Sequence, residues 1–144
     1  MSGTRQGTHA YSIARSGPSW QTKQLWKNAD VTMYTASPVF IDGVIYGMSN
    51  KRRGQFVAIR ASDGGLQWST PGRDGNHASI LQANAHLLFL TDAGVLIVAR
   101  RTAEGFSEER RYEIGHSTTW AQPIFLPDGM LVREATGVVK LLWE

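Results

Sequence analysis

Imidazole, guanidinium and carboxylate groups supply the chemistry that this sequence of 144 residues can carry. Three of its four histidines, His9, His77 and His116, are candidate metal ligands, because imidazole is a common ligand and a catalytic zinc takes three protein ligands. Their spacing contains no His-Glu-x-x-His motif and no pair at helical spacing. Loop histidines that only form hydrogen bonds are therefore the favoured interpretation, and a divalent metal is the alternative.

Candidate catalytic residues are His77, His116, Asp92 and Glu134, with the last two as a general acid/base pair. Together they would suit a metal-dependent hydrolase of esters or phosphoesters. The sequence has no Gly-x-Ser-x-Gly elbow, no phosphate-binding glycine loop and no EF-type calcium loop. It also has no cysteine, which excludes disulfides, a cysteine nucleophile and cysteine-ligated metals.

Basic and aromatic residues are candidates for ligand binding. Lys51, Arg52 and Arg53 could hold a phosphate or carboxylate, since arginine offers a planar fork of donors, although adjacent cations at a loop tip are more often only solvated. Trp120 and Arg133 are further candidates. The net charge of +3 and the lack of interleaved basic and aromatic residues predict no nucleic-acid partner.

The elements that must position these residues come from an internal repeat. Asp42-Gly43 and Asp128-Gly129 each separate two short apolar segments, and this pattern predicts hairpins with type I′ turns. A period of about 40–45 residues with four short strands per unit is typical of a propeller blade. Three sets of markers recur at that period: Ser37, Ala78 and Gln122; Arg15, Arg60 and Arg100; and the closing aromatics Trp26, Trp68 and Tyr112.

The segment 58–68 carries a family resemblance. It has an apolar strand, the turn Asp63-Gly64-Gly65 and the closing Trp68, while Ser37-Pro38-Val39 opens a hairpin. This pattern resembles the repeat of the PQQ-like, or quinoprotein-like, β-propellers. The resemblance implies that the chain corresponds to a C-terminal half-propeller fragment. The resemblance implies structural roles for Trp26, Trp68, Tyr112, Gly43, Gly64, Gly65 and Gly129. PQQ itself is not expected, because the calcium and quinone ligands of the redox members cannot be assigned, and we expect no cofactor.

The predicted fold is all-β, with four-stranded antiparallel blades and about three blades per chain. Residues 1–144 form one half-propeller unit: a partial blade at 8–27, full blades at 36–70 and 78–114, and a partial blade at 119–143. Three blades close a ring poorly, since propellers have about four to eight, and the two partial blades are complementary. We therefore expect a homodimer of six blades that acts as a binding scaffold, with the fragment of a longer propeller as the alternative.

Strand direction alternates within a blade, so the loops before strand one and between strands two and three share a face. That face collects the candidate residues and could bind a small molecule over the central channel. The longest apolar runs are far shorter than the roughly 18 residues of a membrane span. The first residues contain no apolar stretch typical of a secretory signal. Relatives in the PQQ-like family are mostly periplasmic or secreted, whereas this sequence shows no such signal. We therefore leave the localisation open.

Overall fold

The computed structural model of this protein describes residues 2–3, 7–115 and 117–143, with side chains from residue 7 onward. Within these residues the chain forms strands in four antiparallel sheets and one 3₁₀ turn at Lys51–Arg53. The sheets follow one another along the chain, and the predicted all-β fold is confirmed.

Two middle sheets have four strands each. In the first middle sheet the strands are β4 (Val39–Ile41), β5 (Val44–Ser49), β6 (Gln55–Arg60) and β7 (Leu66–Ser69). In the second they are β8 (Ala78–Ala83), β9 (His86–Thr91), β10 (Val95–Arg100) and β11 (Ser107–Glu113). Each sheet is an up-and-down meander in which every strand pairs with its neighbour in sequence.

Two terminal sheets have three strands each. The N-terminal sheet contains β1 (Ser2–Gly3), β2 (Gly7–Ser16) and β3 (Ser19–Asn28). The C-terminal sheet contains β12 (Ile124–Leu126), β13 (Gly129–Arg133) and β14 (Val138–Leu142). In the described part of the chain neither terminal sheet therefore has the four strands of the middle sheets.

The strand boundaries differ from the prediction where proline intervenes. The blades predicted to begin at residues 36 and 119 have first strands that begin at Val39 and Ile124, directly after Pro38 and Pro123, because proline has no N–H to donate to a ladder. Before Pro38, Ser37 still forms an isolated parallel bridge with Ser79 of the next sheet.

The two predicted Asp-Gly turns differ from each other. Asp42 and Gly43 have φ of 49° and 80°, as a type I′ turn requires. At the second turn, by contrast, Leu126 pairs with Gly129, so the loop is Pro127-Asp128, and Gly129 is not among the residues with positive φ. The prediction of a type I′ turn at Asp128-Gly129 was therefore wrong. Gly129 serves close packing instead, since a Cβ there would lie 1.9 Å from the carbonyl oxygen of Leu141.

The core lies between sheets rather than inside one. The largest cluster joins the two middle sheets and includes Phe56 and Phe89, whose rings are tilted by 39° with centroids 4.3 Å apart. A second cluster joins the second middle sheet to the C-terminal sheet through Leu90 and Met130, and a third contains Val31, Met33 and Val57. Because both faces of β6 are covered, five of its six residues are buried.

Two tryptophans fasten neighbouring sheets to each other at corresponding places. The Trp26 indole donates its N–H to the carbonyl of Ala61 at 2.8 Å, and the Trp68 indole donates to the carbonyl of Thr102 at 3.0 Å. The ring of Trp26 also covers Gly64, whose φ is 73°, so a Cβ there would lie 2.4 Å from the indole. Gly65 closes the same turn by donating its N–H to the Asp63 carboxylate.

The β-bulges show which residue takes this position in the second middle sheet. The bulge next to Trp26 lies between Ala10 and Tyr11, and the bulge next to Trp68 lies between Ala58 and Ile59. In the second middle sheet the bulge follows the pair Val98–Arg110. The residue equivalent to the tryptophans is therefore Arg110, and Tyr112 lies two residues beyond it, 48% exposed.

Large apolar side chains are exposed on both terminal sheets. On the N-terminal sheet these include Ile13 and Trp20, which are 67% and 69% exposed, and on the C-terminal sheet Val138 and Leu142, which are 63% and 62% exposed. No helix in the described ranges is long and apolar enough to cross a membrane.

Candidate functional site

One face of the sheets carries nearly all the candidate residues, as strand direction predicts. We call it the upper face; it consists of the loops 29–38, 50–54, 70–77, 92–94, 117–123 and 134–137, which precede a first strand or join a second strand to a third. The short turns at 42–43, 61–65, 84–85, 101–106 and 127–128 form the opposite face.

Three residues at equivalent positions form a row along the upper face. Thr35, His77 and Trp120 each stand six residues before the end of the first strand of their sheet. The Nδ1 of His77 lies 3.3 Å from the Thr35 hydroxyl oxygen, and its ring stacks on Trp120 with centroids 5.2 Å apart. His77 is buried and Trp120 is 55% exposed, so the row presents one open aromatic surface.

Buried polar atoms occur in the same loops. The Nε2 of His77 and the hydroxyl of Thr119 are both buried without a hydrogen-bond partner in the described structure. Thr119 is only 2% exposed, and its N–H donates to the carbonyl of Asp92 at 3.1 Å. The loops of the two last sheets are thus joined through Asp92.

Asn50 and Asp92 hold the loops in place by the same contact. Each directly follows the second strand of a middle sheet, and each accepts a backbone N–H through its side chain: Asn50 from Tyr34 at 2.7 Å, and Asp92 from Asn76 at 3.2 Å. The second carboxylate oxygen of Asp92 accepts from the Asn76 amide. Asp92 is therefore a structural clamp, a role that its location alone did not reveal.

A cavity of about 320 Å³ opens between the two middle sheets, lined by Arg53, Arg73, Gly75 and Asn76. Arg52, Arg53 and Arg73 have φ of 50°, 64° and 73°, which residues other than glycine rarely adopt. The loops interlock, because the N–H of Arg73 donates to the carbonyl of Arg52 at 3.1 Å and that of Gly75 donates to the carbonyl of Arg53 at 3.3 Å.

A second upper-face cavity, of about 420 Å³, lies on the C-terminal sheet and is lined by Thr118, Trp120, Ala121, Arg133 and Ala135. Trp120 and Arg133, which the sequence analysis singled out separately, thus meet here. This arrangement combines an aromatic surface with a guanidinium group.

The remaining predicted residues are placed apart. The Lys51 ammonium lies 3.3 Å from the Asp30 carboxylate. His9 lies on the N-terminal sheet, where it stacks on Tyr11 and approaches Gln24. Glu134 is 8% exposed and lies beside Gly115, whereas both oxygens of the Asp92 carboxylate contact Asn76. His116 lies outside the described residues, and within them no three His, Asp or Glu side chains are grouped to hold a metal.

Sequence reasoning missed Arg73, Asn76, Thr35 and Thr119. The row of Thr35, His77 and Trp120 was recoverable from the repeat, since these residues are 42 and 43 positions apart. Arg73 had no such signal, because only the pairing of two loops brings it beside Arg53.

Comparison with solved structures defines the class of fold. The chain is similar to BamB from Moraxella catarrhalis, a PQQ-like β-propeller, with 15% identity and a TM-score of 0.59 over 95% of this chain and 47% of that one. It is also similar to the computationally designed protein Ika8, with 10% identity and a TM-score of 0.50 over 94% of this chain and 55% of that one.

The likeness to BamB confirms the predicted fold, that of a PQQ-like β-propeller. No protein-family model and no curated protein matches the sequence. The chain spans about half the length of the structures it matches, so its sheets correspond to only part of each.

Proposed function

We propose that two copies of this chain complete one six-bladed propeller and that the assembled ring is a binding scaffold without catalytic activity. The observation that carries the proposal is the free edge of β14. The middle sheets have an outer fourth strand, whereas the C-terminal sheet ends at its third within the described residues.

The direction of the unpaired groups on β14 follows from its ladder with β13. Trp143 donates its N–H to the carbonyl of Asp128, and Glu134 donates to that of Gly137. Since bonded and non-bonded pairs alternate in an antiparallel ladder, residues 139 and 141 bond to β13. The N–H groups of Val138, Lys140 and Leu142 therefore point to the free edge, where another strand can pair.

An apolar groove accompanies this edge. It has a volume of about 540 Å³ and lies between the second middle sheet and β14. Exposed strand edges and apolar surfaces promote association, so a strand that pairs with β14 would also cover this groove. The groove is lined by Leu88, Leu96, Val98, Tyr112, Ile114, Leu141, Leu142 and Trp143.

The N-terminal sheet supports a second copy as the source of that strand. Its bulge and Trp26 identify β3 as an outer strand, the element that the C-terminal sheet lacks. It also exposes large apolar side chains, including Trp20 and Leu25 at 69% and 58%. Pairing of β3 from each copy with β14 of the other would be isologous, as in the twofold symmetry that is commonest in homo-oligomers.

Two carboxylates of the upper face are already paired or hydrogen-bonded, which favours binding over catalysis as the function of this face. Asp30 pairs with Lys51, and Asp92 accepts both hydrogen bonds from Asn76. A carboxylate held in this way is a poor general base, because its oxygens already serve the loops. The proposed site of binding is therefore the upper face with its two cavities.

Multi-angle light scattering tests the assembly. We expect the wild-type chain at twice its 15.9 kDa mass. Lys140→Pro removes an N–H from the free edge without removing a bond to β13, and should give a folded monomer. Lys140→Ala, the matched control, loses only the exposed ion pair with Asp128, which contributes about 0–1 kcal/mol, and should remain dimeric.

Two results would contradict the proposal. One is a folded wild-type chain that stays at 15.9 kDa at all concentrations. The other is a Lys140→Pro variant that dimerises as well as Lys140→Ala. Circular dichroism of each variant establishes that its sheets are formed.

A further inference from the structure

We infer that the cavity between Arg53 and Arg73 binds the carboxylates of an acidic segment of a partner protein. This inference rests on the proposed scaffold function and names the chemistry of its partner. The cavity measures about 320 Å³ and opens on the upper face. Its two arginines come from different loops, so a group that bridges them contacts both the loop 50–54 and the segment 70–77 that connects the two middle sheets.

The arginines are held in position by their backbones. Arg53 and Arg73 both have positive φ, and the loops that carry them exchange backbone hydrogen bonds over the stretch 52–75. The N–H of Asp74 donates to the carbonyl of Gly54 at 3.1 Å, and a Cβ on Gly54 would lie 2.0 Å from the carbonyl oxygen of Gly75. The loops are therefore closely packed, and the guanidinium groups start from fixed positions.

The charges on the two faces differ in a way that favours an external anion. On the opposite face, Arg60 pairs with Asp63 at 2.6 Å, Arg100 pairs with Glu109 at 2.6 Å, and Arg101 pairs with Asp42. On the upper face, among the described residues, Arg52, Arg53, Arg73 and Arg133 form no ion pair.

The acidic groups near the cavity are hydrogen-bonded or paired elsewhere. Asp74 accepts a hydrogen bond from the Thr70 hydroxyl, and Asp92 accepts two from Asn76. Asp30 pairs with Lys51. Within the described residues neither Arg53 nor Arg73 forms an ion pair, so both guanidinium groups can pair with a carboxylate of a partner.

A protein segment fits this surface better than a free anion. A guanidinium group pairs with a carboxylate through two parallel hydrogen bonds. The neighbouring cavity of about 420 Å³ offers the face of Trp120 beside Arg133, which suits an apolar or aromatic side chain next to a second acidic one. Only a chain that carries both kinds of side chain uses both cavities.

Fluorescence polarisation tests the inference with the full chain. The probe is a fluorescein-labelled peptide of Glu, Gly and Phe residues, measured at low ionic strength because salt screens such contacts. We expect the double variant Arg53→Gln, Arg73→Gln to raise the dissociation constant about tenfold or more. The control is Arg60→Gln, Arg100→Gln, which removes the same charge from the opposite face and should change the constant less than about twofold.

Three results would overturn the inference. The first is an equal loss of affinity in both double variants, which would indicate unspecific attraction to net charge. The second is unchanged affinity when every Glu of the peptide is replaced by Gln. The third is displacement of the peptide by millimolar inorganic phosphate while chloride at the same ionic strength has no effect, which would indicate a phosphate site.

Light scattering of the same samples separates this inference from the proposed assembly. A monomer that binds the Glu peptide through Arg53 and Arg73 supports the cavity and contradicts the dimer. A dimer whose affinity is the same in wild type and in the Arg53→Gln, Arg73→Gln variant contradicts the cavity and leaves the assembly standing.

Discussion

Replacement of Trp68 by phenylalanine tests whether tryptophans hold neighbouring sheets together. The side chain is 8% exposed, its N–H donates to Thr102, and its ring lies 5.7 Å from that of Phe106. Loss of the N–H removes the donor of a half-buried carbonyl, at a cost of about 1–2 kcal/mol. The smaller ring removes buried apolar contacts, at about 1–2 kcal/mol more.

We therefore expect Trp68→Phe to lower the free energy of unfolding by about 2–4 kcal/mol, out of the roughly 5–15 kcal/mol of a typical domain. Urea unfolding followed by far-ultraviolet circular dichroism measures this loss without relying on tryptophan fluorescence. Trp26→Phe is the matched comparison, since it loses the same kind of hydrogen bond from a half-buried position, and should cost about 1–2 kcal/mol.

Trp120→Phe is the control, because Trp120 is 55% exposed. It should cost less than about 0.5 kcal/mol. If Trp68→Phe destabilises no more than Trp120→Phe, the indole does not fasten the two middle sheets, and the reasoning from burial and hydrogen bonding fails.

Two further predictions concern a turn and an acid-sensitive cluster. Gly129→Ala should destabilise the fold by more than Gly43→Ala, for which we expect roughly 1–2 kcal/mol. Of the two, only a Cβ at Gly129 meets backbone, 1.9 Å from the Leu141 carbonyl oxygen. Equal losses of stability in urea unfolding would contradict this. Arg100, and next His86, hold the pKa of Glu109 below its usual range. Its ionised form thus stabilises the fold above the ordinary carboxyl pKa of about 4.3, and this stability is lost as pH falls through the lower folded-state value. Glu109→Gln should therefore flatten the decline in stability between pH 7 and about 3, whereas an unchanged slope would show that the contact contributes nothing.

The strand pattern was accessible from the sequence because it is local. Short apolar segments on either side of Asp42-Gly43 and of Ala61–Gly65 predict hairpins. The structure has strands on both sides of each of these turns. The turn at Asp128-Gly129 was mispredicted because the same dipeptide can place glycine after the turn. There, the approach of the Leu141 carbonyl decides the geometry.

The equivalence of residues between repeats was less accessible. Tyr112 matched the aromatic type and the spacing of Trp26 and Trp68, yet the bulge places Arg110 at their position. The same bulge occurs in all three sheets, but the hairpins that precede the closing residue differ in length: ten positions separate Ala58 from Trp68, and twelve separate Val98 from Arg110. A count along the sequence therefore drifts against the register. Arg15 illustrates the same effect, since it pairs with Trp20 near the tip of a longer hairpin.

Part of the candidate site was predictable from the sequence, and part of it depended on the tertiary structure. The repeat by itself determined that His77, Trp120, Asp92 and Arg53 share one face, because strand alternation fixes the direction of every loop. Only the tertiary structure decided which of them touch. Contacts between loops, such as the hydrogen bonds of Arg73 to Arg52 and of Gly75 to Arg53, depend on how neighbouring sheets pack, and packing is set by side chains far apart in the chain. That is why the sequence determined the sheets and the face, while the arginine cavity and the clamps of Asn50 and Asp92 came from the fold.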